Sequence, residues 1–335
     1  MFKVDIHTHI LPLDLNSVTG KFKDSRFLKV SPIDVDTAWM EKGGKQFRRI
    51  SCNCWDHNVR AKECCETDVD MQVLSTVPIL FSYWAEASEA YDLSQFLNNH
   101  IADIVVDSPE KFIGLGTVPM QDTKLAIREI ERCMGDLGMK GIEIGTNING
   151  ENLGEQKFRP IFEAAAEMGC AIFVHPWDMM GEDQMQKYWL PWLVGMPAEL
   201  SRAICSLIFS GVIEQLPNLR ITFAHGGGSY PWTMGRIEHG FNVRPDLCAI
   251  DNPKPPSEYN GRMYFDSLVH DADALRFLIN RFGADSIAMG SDYPFPLGEE
   301  KPGELIESMD DLSGDVKKQL LSGTALEWLG MESVD

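Results

Sequence analysis

Positive charge is scarce in this chain of 335 residues: 30 Lys and Arg stand against 50 Asp and Glu, a net charge of −20. Such a surface argues against nucleic acid as a partner, because phosphate binding needs a basic footprint. A small anionic substrate remains open, since it senses only its own pocket. Long apolar runs are also missing. The longest, around Ala203 to Leu216, is broken by Ser206, Ser210 and Glu214 and is short for a membrane span. No apolar stretch follows Met1-Phe2-Lys3 as a signal peptide would require. The expectation is a cytoplasmic protein with no membrane partner.

Familiar catalytic signatures are absent too. There is no HExxH, no P-loop and no GxSxG elbow. Gly114-Leu115-Gly116 lacks the third glycine of a dinucleotide loop. The eight cysteines form no CxxC knuckle. Cys52, Cys54, Cys64 and Cys65 do cluster, which leaves two readings: a zinc site, or buried and half-buried free thiols on and before a helix. No linker, low-complexity run or short repeat divides the chain. With 44% hydrophobic and 24% charged residues it is an ordinary globular composition. Disorder and a small disulfide scaffold are excluded.

What is present is an alternation. Short β-rich runs occur at Val4–Ile6, Val73–Val77, Phe112–Gly116, Gly141–Ile144, Ala171–Val174, Arg220–Ala224, Met263–Ser267 and Ser286–Met289. Between them lie segments with helical spacing, such as Leu125-Ile127-Ile130-Cys133 and Ile161-Phe162-Ala165. Eight strands alternating with helices predict an α/β fold, a (β/α)8 TIM barrel in a single domain over 1–335. An open doubly wound sheet is the alternative. The barrel is preferred because polar residues of interest follow strands 1, 5, 6 and 8, and a barrel brings those ends to one mouth. Two insertions interrupt the pattern, at 11–55 after strand 1 and at 176–196 after strand 5. The second holds Trp177, Met179, Met180, Met185, Tyr188, Trp189 and Trp192. So many large apolar side chains predict a lid, a subunit interface or a loop packed on its own barrel.

Four motifs carry chemistry. Asp5-Ile6-His7-Thr8-His9 puts His7 and His9 on one face of a strand, because side chains alternate. Two imidazoles so placed can chelate a divalent metal. Phe173-Val174-His175-Pro176 runs an apolar strand into a histidine. Ala224-His225-Gly226-Gly227-Gly228 lets backbone or ligand come close. Met289-Gly290-Ser291-Asp292 puts an acid just past the last strand. A shared mouth explains all four. His7, His9, His175 and Asp292 then ligate one ion, with zinc favoured by the nitrogen-rich set. The ion would lower the pKa of water in an open position to about 7. His225 becomes the acid/base beside that water. Spacing equally permits His225 as a ligand. His57, His100 and His239 read as surface or helix histidines, and His270 lies nearer the mouth.

Together these motifs resemble the amidohydrolase superfamily. Longer stretches narrow the resemblance to its 2-amino-3-carboxymuconate-6-semialdehyde decarboxylases, in their animal-type form. Asn53-Cys54-Trp55-Asp56, His175-Pro176-Trp177-Asp178-Met179, Tyr188-Trp189-Leu190-Pro191-Trp192 and Gly290-Ser291-Asp292-Tyr293-Pro294-Phe295 carry it. The resemblance implies one zinc per chain and non-oxidative loss of a carboxylate from a semialdehyde of tryptophan breakdown by the kynurenine route. That activity limits cyclisation to quinolinate and so NAD formation. It implies His7, His9, His175 and Asp292 as ligands, and His225 as acid/base. Arg48 is implied as a substrate-carboxylate contact, with Phe47 beside it distinguishing it from Arg49. Trp192 and Phe295 are implied as pocket aromatics. Arg244 is implied as an arginine lent across a homodimer interface. Arginine suits a dicarboxylate because it binds carboxylate bidentately. A single-metal hydrolase of an amide or lactone is the competing enzyme reading, and a non-catalytic scaffold the other. Strand 4 ends Glu143-Ile144-Gly145-Thr146-Asn147, without the bridging lysine of many two-metal hydrolases.

Overall fold

The computed structural model describes residues 1–332. Eight strands form one sheet in chain order: β1 (Val4–Ile10), β2 (Met71–Thr76), β3 (Phe112–Thr117), β4 (Gly141–Gly145), β5 (Ala171–His175), β6 (Ile221–Phe223), β7 (Tyr264–Asp266) and β8 (Ile287–Ala288). Each pairs in parallel with the next. All eight coincide with the runs expected from sequence. The seam between β8 and β1 is closed differently. Ile6 N–H bonds the Met289 carbonyl at 2.9 Å, Asp292 N–H bonds that of His7 at 2.8 Å, and His9 N–H bonds that of Tyr293 at 2.8 Å. The architecture is the (β/α)8 barrel.

A helix of the outer ring follows each strand: α1 (His57–Glu66), α2 (Ala87–Asp107), α3 (Thr123–Gly135), α4 (Arg159–Glu167), α5 (Met196–Phe209), α6 (Tyr230–Val243), α7 (Ala272–Phe282) and α8 (Thr324–Leu329). Aspartates start three of them. Asp56, Asp122 and Asp271 accept backbone N–H bonds from the first turns of α1, α3 and α7. On α3 the buried Ala126, Ile130 and Cys133 fall at helical spacing and face the sheet. The barrel interior is filled by Val4, Ile6, Val73, Leu115, Phe173, Ala224 and Ala288, and α8 packs Trp328 against this layer. A second apolar layer, including Ile142, Ile172, Ile204, Phe223 and Phe265, joins strands to helices.

The first insertion has a fold of its own. Strands Lys29–Pro32, Thr37–Lys42 and Lys45–Ser51 form an antiparallel sheet. Leu11, Leu15, Phe27, Val30 and Met40 bury themselves with Leu93 and Leu97 of α2. The second insertion contains short turns at Glu182–Gln184 and Pro191–Gly195, and the latter runs without a break into α5. That continuity corrects one reading of the sequence. The fused helix Pro191–Phe209 has 19 residues and mean hydropathy 1.3, long and apolar enough by composition to cross a bilayer. Its α5 half has a different use here, since Leu200, Ala203, Ile204, Leu207 and Ile208 are packed in the core.

The cysteine cluster does not assemble into a metal site. Cys54 and Cys64 are buried, Cys52 half-buried and Cys65 exposed, and all eight thiols are free. Cys65 is thus more open than the buried-thiol reading expected. It lies on the outer side of α1.

Candidate active site at the barrel mouth

The strand ends bring His7, His9, His175 and Asp292 together. One donor atom from each lies within 4.8 Å of every other. The Nε2 atoms of His7 and His9 are 3.2 Å apart. Asp292 Oδ1 is 3.6 Å from His7 Nε2 and 3.2 Å from His9 Nε2. The His175 ring centroid is 5.2 Å from that of His7 and 5.0 Å from that of His9.

The far side of each ring decides which nitrogen faces the mouth. His9 Nδ1 meets the Thr76 carbonyl at 3.1 Å, and His175 Nδ1 meets the Pro176 carbonyl at 2.9 Å. A carbonyl only accepts, so these Nδ1 atoms carry the proton and each Nε2 keeps its lone pair. His7 Nδ1 meets Asp266 Oδ2 at 2.7 Å, which fixes its tautomer in the same sense. Burial holds His175 well below the usual histidine pKa, with the neighbouring imidazoles adding to it. Burial also lowers His9, against the pull of Asp292. Burial opposes a charge on Asp292, yet the bonds to His225 and His9 carry its carboxyl well below the usual range. Neutral His9 and His175 beside an ionised Asp292 are the protonation states that a divalent cation requires. The donor set therefore fits a resident metal ion of the borderline type.

His225 stands at the rim of this cluster. Its Nε2 is 3.9 Å from Asp292 Oδ2, and its ring centroid is 5.2 Å from His7 and 5.3 Å from His175. Its backbone is left-handed, with φ of 51°, and Asp266 Oδ2 accepts its N–H at 2.8 Å. Asp292 also adopts a left-handed φ of 59°. Such strained residues persist where the surroundings over-determine them. The glycines after His225 serve backbone packing. A Cβ at Gly228 would fall 2.4 Å from the Pro197 carbonyl, so the turn seats directly on the start of α5. Gly290 has a similar duty, because a Cβ there would lie 2.9 Å from His7 Cβ and 2.8 Å from that of Asp266.

A cleft opens from the cluster. His9, His175 and Asp292 form its floor, and Arg48, Trp177, Trp192, Met196 and Phe295 its walls. Arg48 is half-buried, with its guanidinium 4.8 Å over the Phe295 ring and 5.8 Å from Trp192. Burial lowers its pKa while Asp292 favours its charge. Arg49 points away, exposed, with Nη2 3.4 Å from Thr37 Oγ1. Arg244 is outside the cleft. It sits just beyond α6, exposed, paired with Asp246 at 2.7 Å. A second cleft, sharing Trp192, Met196 and Leu297 with the first, reaches His225 past Leu268, Val269 and His270.

Sequence reasoning missed several groups. Asp266 ends β7 and accepts N–H bonds from His225, Gly226 and Leu268 besides holding His7. The signal was an acid closing the apolar run Tyr264-Phe265. Asp5 lies two residues before His7, where a bulge between Asp5 and Thr8 interrupts the pairing of β1 with β2. It is bonded by the Ser291 hydroxyl and N–H, and burial raises its pKa to about 7. Glu143 lies on the barrel floor, 3.7 Å from His9 Nδ1, and burial pushes its pKa well above the usual carboxylate range. Lys42 joins Arg48 in lining the cleft, 5.8 Å over the Trp177 ring. Glu199, buried at the start of α5, ties the second insertion down. It accepts from Thr146, Asn147, the Met180 N–H and Arg202.

With this geometry the chain belongs to the amidohydrolase family, whose profile matches residues 4–331. Within that family it is a decarboxylase, a carboxy-lyase. It is 53% identical over 330 residues to 2-amino-3-carboxymuconate-6-semialdehyde decarboxylase of Dictyostelium discoideum, covering 98% of this chain and 92% of the relative. The Caenorhabditis elegans protein of the same name is 34% identical, over 98% of this chain and 94% of its own. Among solved structures, 5-carboxyvanillate decarboxylase of Novosphingobium aromaticivorans, complexed with manganese and 4-hydroxy-3-methoxy-5-nitrobenzoic acid, superposes with a TM-score of 0.81. It is 23% identical, covering 98% of this chain and 96% of that one. No amide or lactone hydrolase is needed to account for these findings, and the scaffold reading yields to an enzyme.

Proposed function

We propose that this enzyme removes one carboxylate, without oxidation, from 2-amino-3-carboxymuconate-6-semialdehyde, giving 2-aminomuconate-6-semialdehyde. It thereby acts in the kynurenine route of tryptophan breakdown and limits quinolinate and NAD formation. The observation that carries the reading is the mouth itself: a cluster of four metal donors, three of them on the floor of one cleft, and a half-buried arginine on its wall. The full-length identity to two enzymes of that name supports the choice of substrate.

His7, His9, His175 and Asp292 hold one ion, for which zinc is the proposal from the three-nitrogen donor set. Manganese is the tested alternative, since the Novosphingobium neighbour carries it. Held there, the ion would supply Lewis acidity to the reacting substrate. Arg48 takes a substrate carboxylate through its planar fork. Phe295 and Trp192, whose rings it already faces, hold the conjugated chain and keep water off. Decarboxylation breaks a C–C bond, leaves its electron pair on carbon, and needs a proton there. His225 Nε2 takes a proton from water and passes it to that carbon, and the hydroxide left behind combines with the departing carbon dioxide as hydrogencarbonate. Asp292 and Asp266 favour its protonated form over the opposing effect of burial.

The active unit is proposed as a homodimer in the cytoplasm, with Arg244 reaching the partner's cleft. Its support is apolar exposure: Val243, Leu247 and Ile250 around Arg244, Trp232 at the start of α6, and Leu193 and Val194 on the second insertion all lie open. Eight free thiols suit a reducing compartment. The test is decarboxylase activity on freshly generated semialdehyde, with metal content measured on the same samples. As-purified, chelated, zinc-restored and manganese-restored protein are compared. The proposal expects loss with chelation and recovery at about one zinc per chain. Bound metal without decarboxylation would overturn the substrate assignment.

A further inference from the structure

The metal-ligand cluster straddles the barrel seam. His7 and His9 belong to β1 and Asp292 to the chain beyond β8, and the seam is closed by isolated backbone bonds instead of a ladder. Behind it lies Arg60, on α1. Its side chain is fully buried. Its hydrogen bonds run to uncharged oxygens: the His9 carbonyl, the Asn53 carbonyl at 3.2 Å and Gln72 Oε1 at 3.1 Å. Its guanidinium lies 4.7 Å over the Tyr293 ring. The Tyr293 hydroxyl donates to Glu63, also on α1, and Glu63 accepts from Asn53 Nδ2 at 3.1 Å.

A buried cation bonded to neutral oxygens is a costly element for stability alone. This one holds one residue from each side of the seam. His9 is itself in the donor cluster, and Tyr293 follows Asp292 directly. We propose that Arg60 is a positioning residue that staples the β8–β1 seam through His9 and Tyr293, and so sets the spacing of the imidazole and carboxylate donors. Tyr293 and Glu63 complete the staple by tying the ring back to α1. The inference rests on the metal reading of the cluster and not on the identity of the carboxylate substrate.

The test reads metal coordination. Arg60→Met, Arg60→Lys and Tyr293→Phe are purified, stripped and loaded with cobalt(II). The visible spectrum reports coordination geometry, chelator competition reports affinity, and the melting midpoint of metal-free protein reports stability. Arg60→Met is expected to bind cobalt about 10- to 100-fold more weakly, with an altered spectrum. Arg60→Lys should recover part of the affinity, because it keeps the charge but loses the planar fork. Tyr293→Phe should weaken binding a few-fold. Wild-type affinity and spectrum in Arg60→Met, with only its metal-free melting point lowered, would overturn the staple and leave Arg60 a purely structural residue. Should Arg60→Met not fold, Tyr293→Phe decides on the same two readouts. Wild-type protein that takes up no cobalt, zinc or manganese would overturn the metal reading and the staple with it.

Discussion

The floor of the cleft and its wall are built on opposite principles. At the floor, His9 and His175, with His7 beside them in the donor cluster, are buried on parallel strand ends, and each ring is held by a second bond to Thr76, Pro176 or Asp266. On the wall, Arg48, Lys42 and Trp192 come from the insertions and are half-buried or exposed. Arg48 is held there by aromatic faces. A rigid floor suits chemistry, where donors must sit within a fraction of an ångström. A looser wall suits recognition, where an extended substrate must enter and leave. Substitutions on the floor should therefore abolish turnover, and those on the wall should mainly weaken binding.

The sharpest test removes a floor donor. Asp292→Asn keeps size and shape but discards the charge that balances the cation. Metal content in the purified variant should fall below about a tenth of wild type, and decarboxylation to background. Metal analysis beside an activity assay measures both. Retained metal at full occupancy would mean that Asp292 serves catalysis only. His225→Ala comes next. It should lower kcat by about 100- to 10,000-fold, the range for a general acid/base, while metal content stays at wild type. Loss of metal in this variant would make His225 a ligand, the assignment that spacing alone left open.

The same contrast explains what was legible. Strand ends follow a period of two, so the direction of His7 and His9 could be read from Asp5-Ile6-His7-Thr8-His9, and all eight barrel strands from their β-branched runs. The rule does not reach Asp5, because a bulge between Asp5 and Thr8 breaks the alternation, and Asp266 is silent because an acid at a strand end has no motif of its own. The three-stranded sheet in the first insertion was not read. Its strands are half-exposed, and burial follows no alternation in Lys45–Ser51, so periodicity carries little there. Arg48 was identified through resemblance. What separates it from Arg49 physically is the pleat, which turns one toward Phe295 and the other toward Thr37.

Wall substitutions should be milder. Arg48→Ala removes a charge-assisted contact with substrate, an interaction in a class worth about 1.5–3 kcal/mol. The expected result is a KM raised about 10- to 100-fold, with kcat falling less and metal content unchanged. Steady-state kinetics on the semialdehyde would show it. A collapse of kcat at unchanged KM would mean that Arg48 acts on the transition state, and the division between floor and wall would fail at that residue.

The smallest signal concerns Arg244, which lies on neither floor nor wall within one chain. If it completes the partner's wall, two defective subunits should repair each other. Mixing His225→Ala chains with Arg244→Ala chains under conditions of subunit exchange yields hybrids. In each hybrid the Arg244→Ala chain keeps its own His225 and receives an intact Arg244 from its partner. Its other site lacks both groups. Random pairing makes half of the dimers hybrid, each with one complete site, so activity should return to about a quarter of wild type. If Arg244 serves only its own chain, no hybrid site is complete and mixing restores nothing. The gain over unmixed chains is about a quarter of the activity that Arg244→Ala alone removes, so the two outcomes separate in proportion to that single defect.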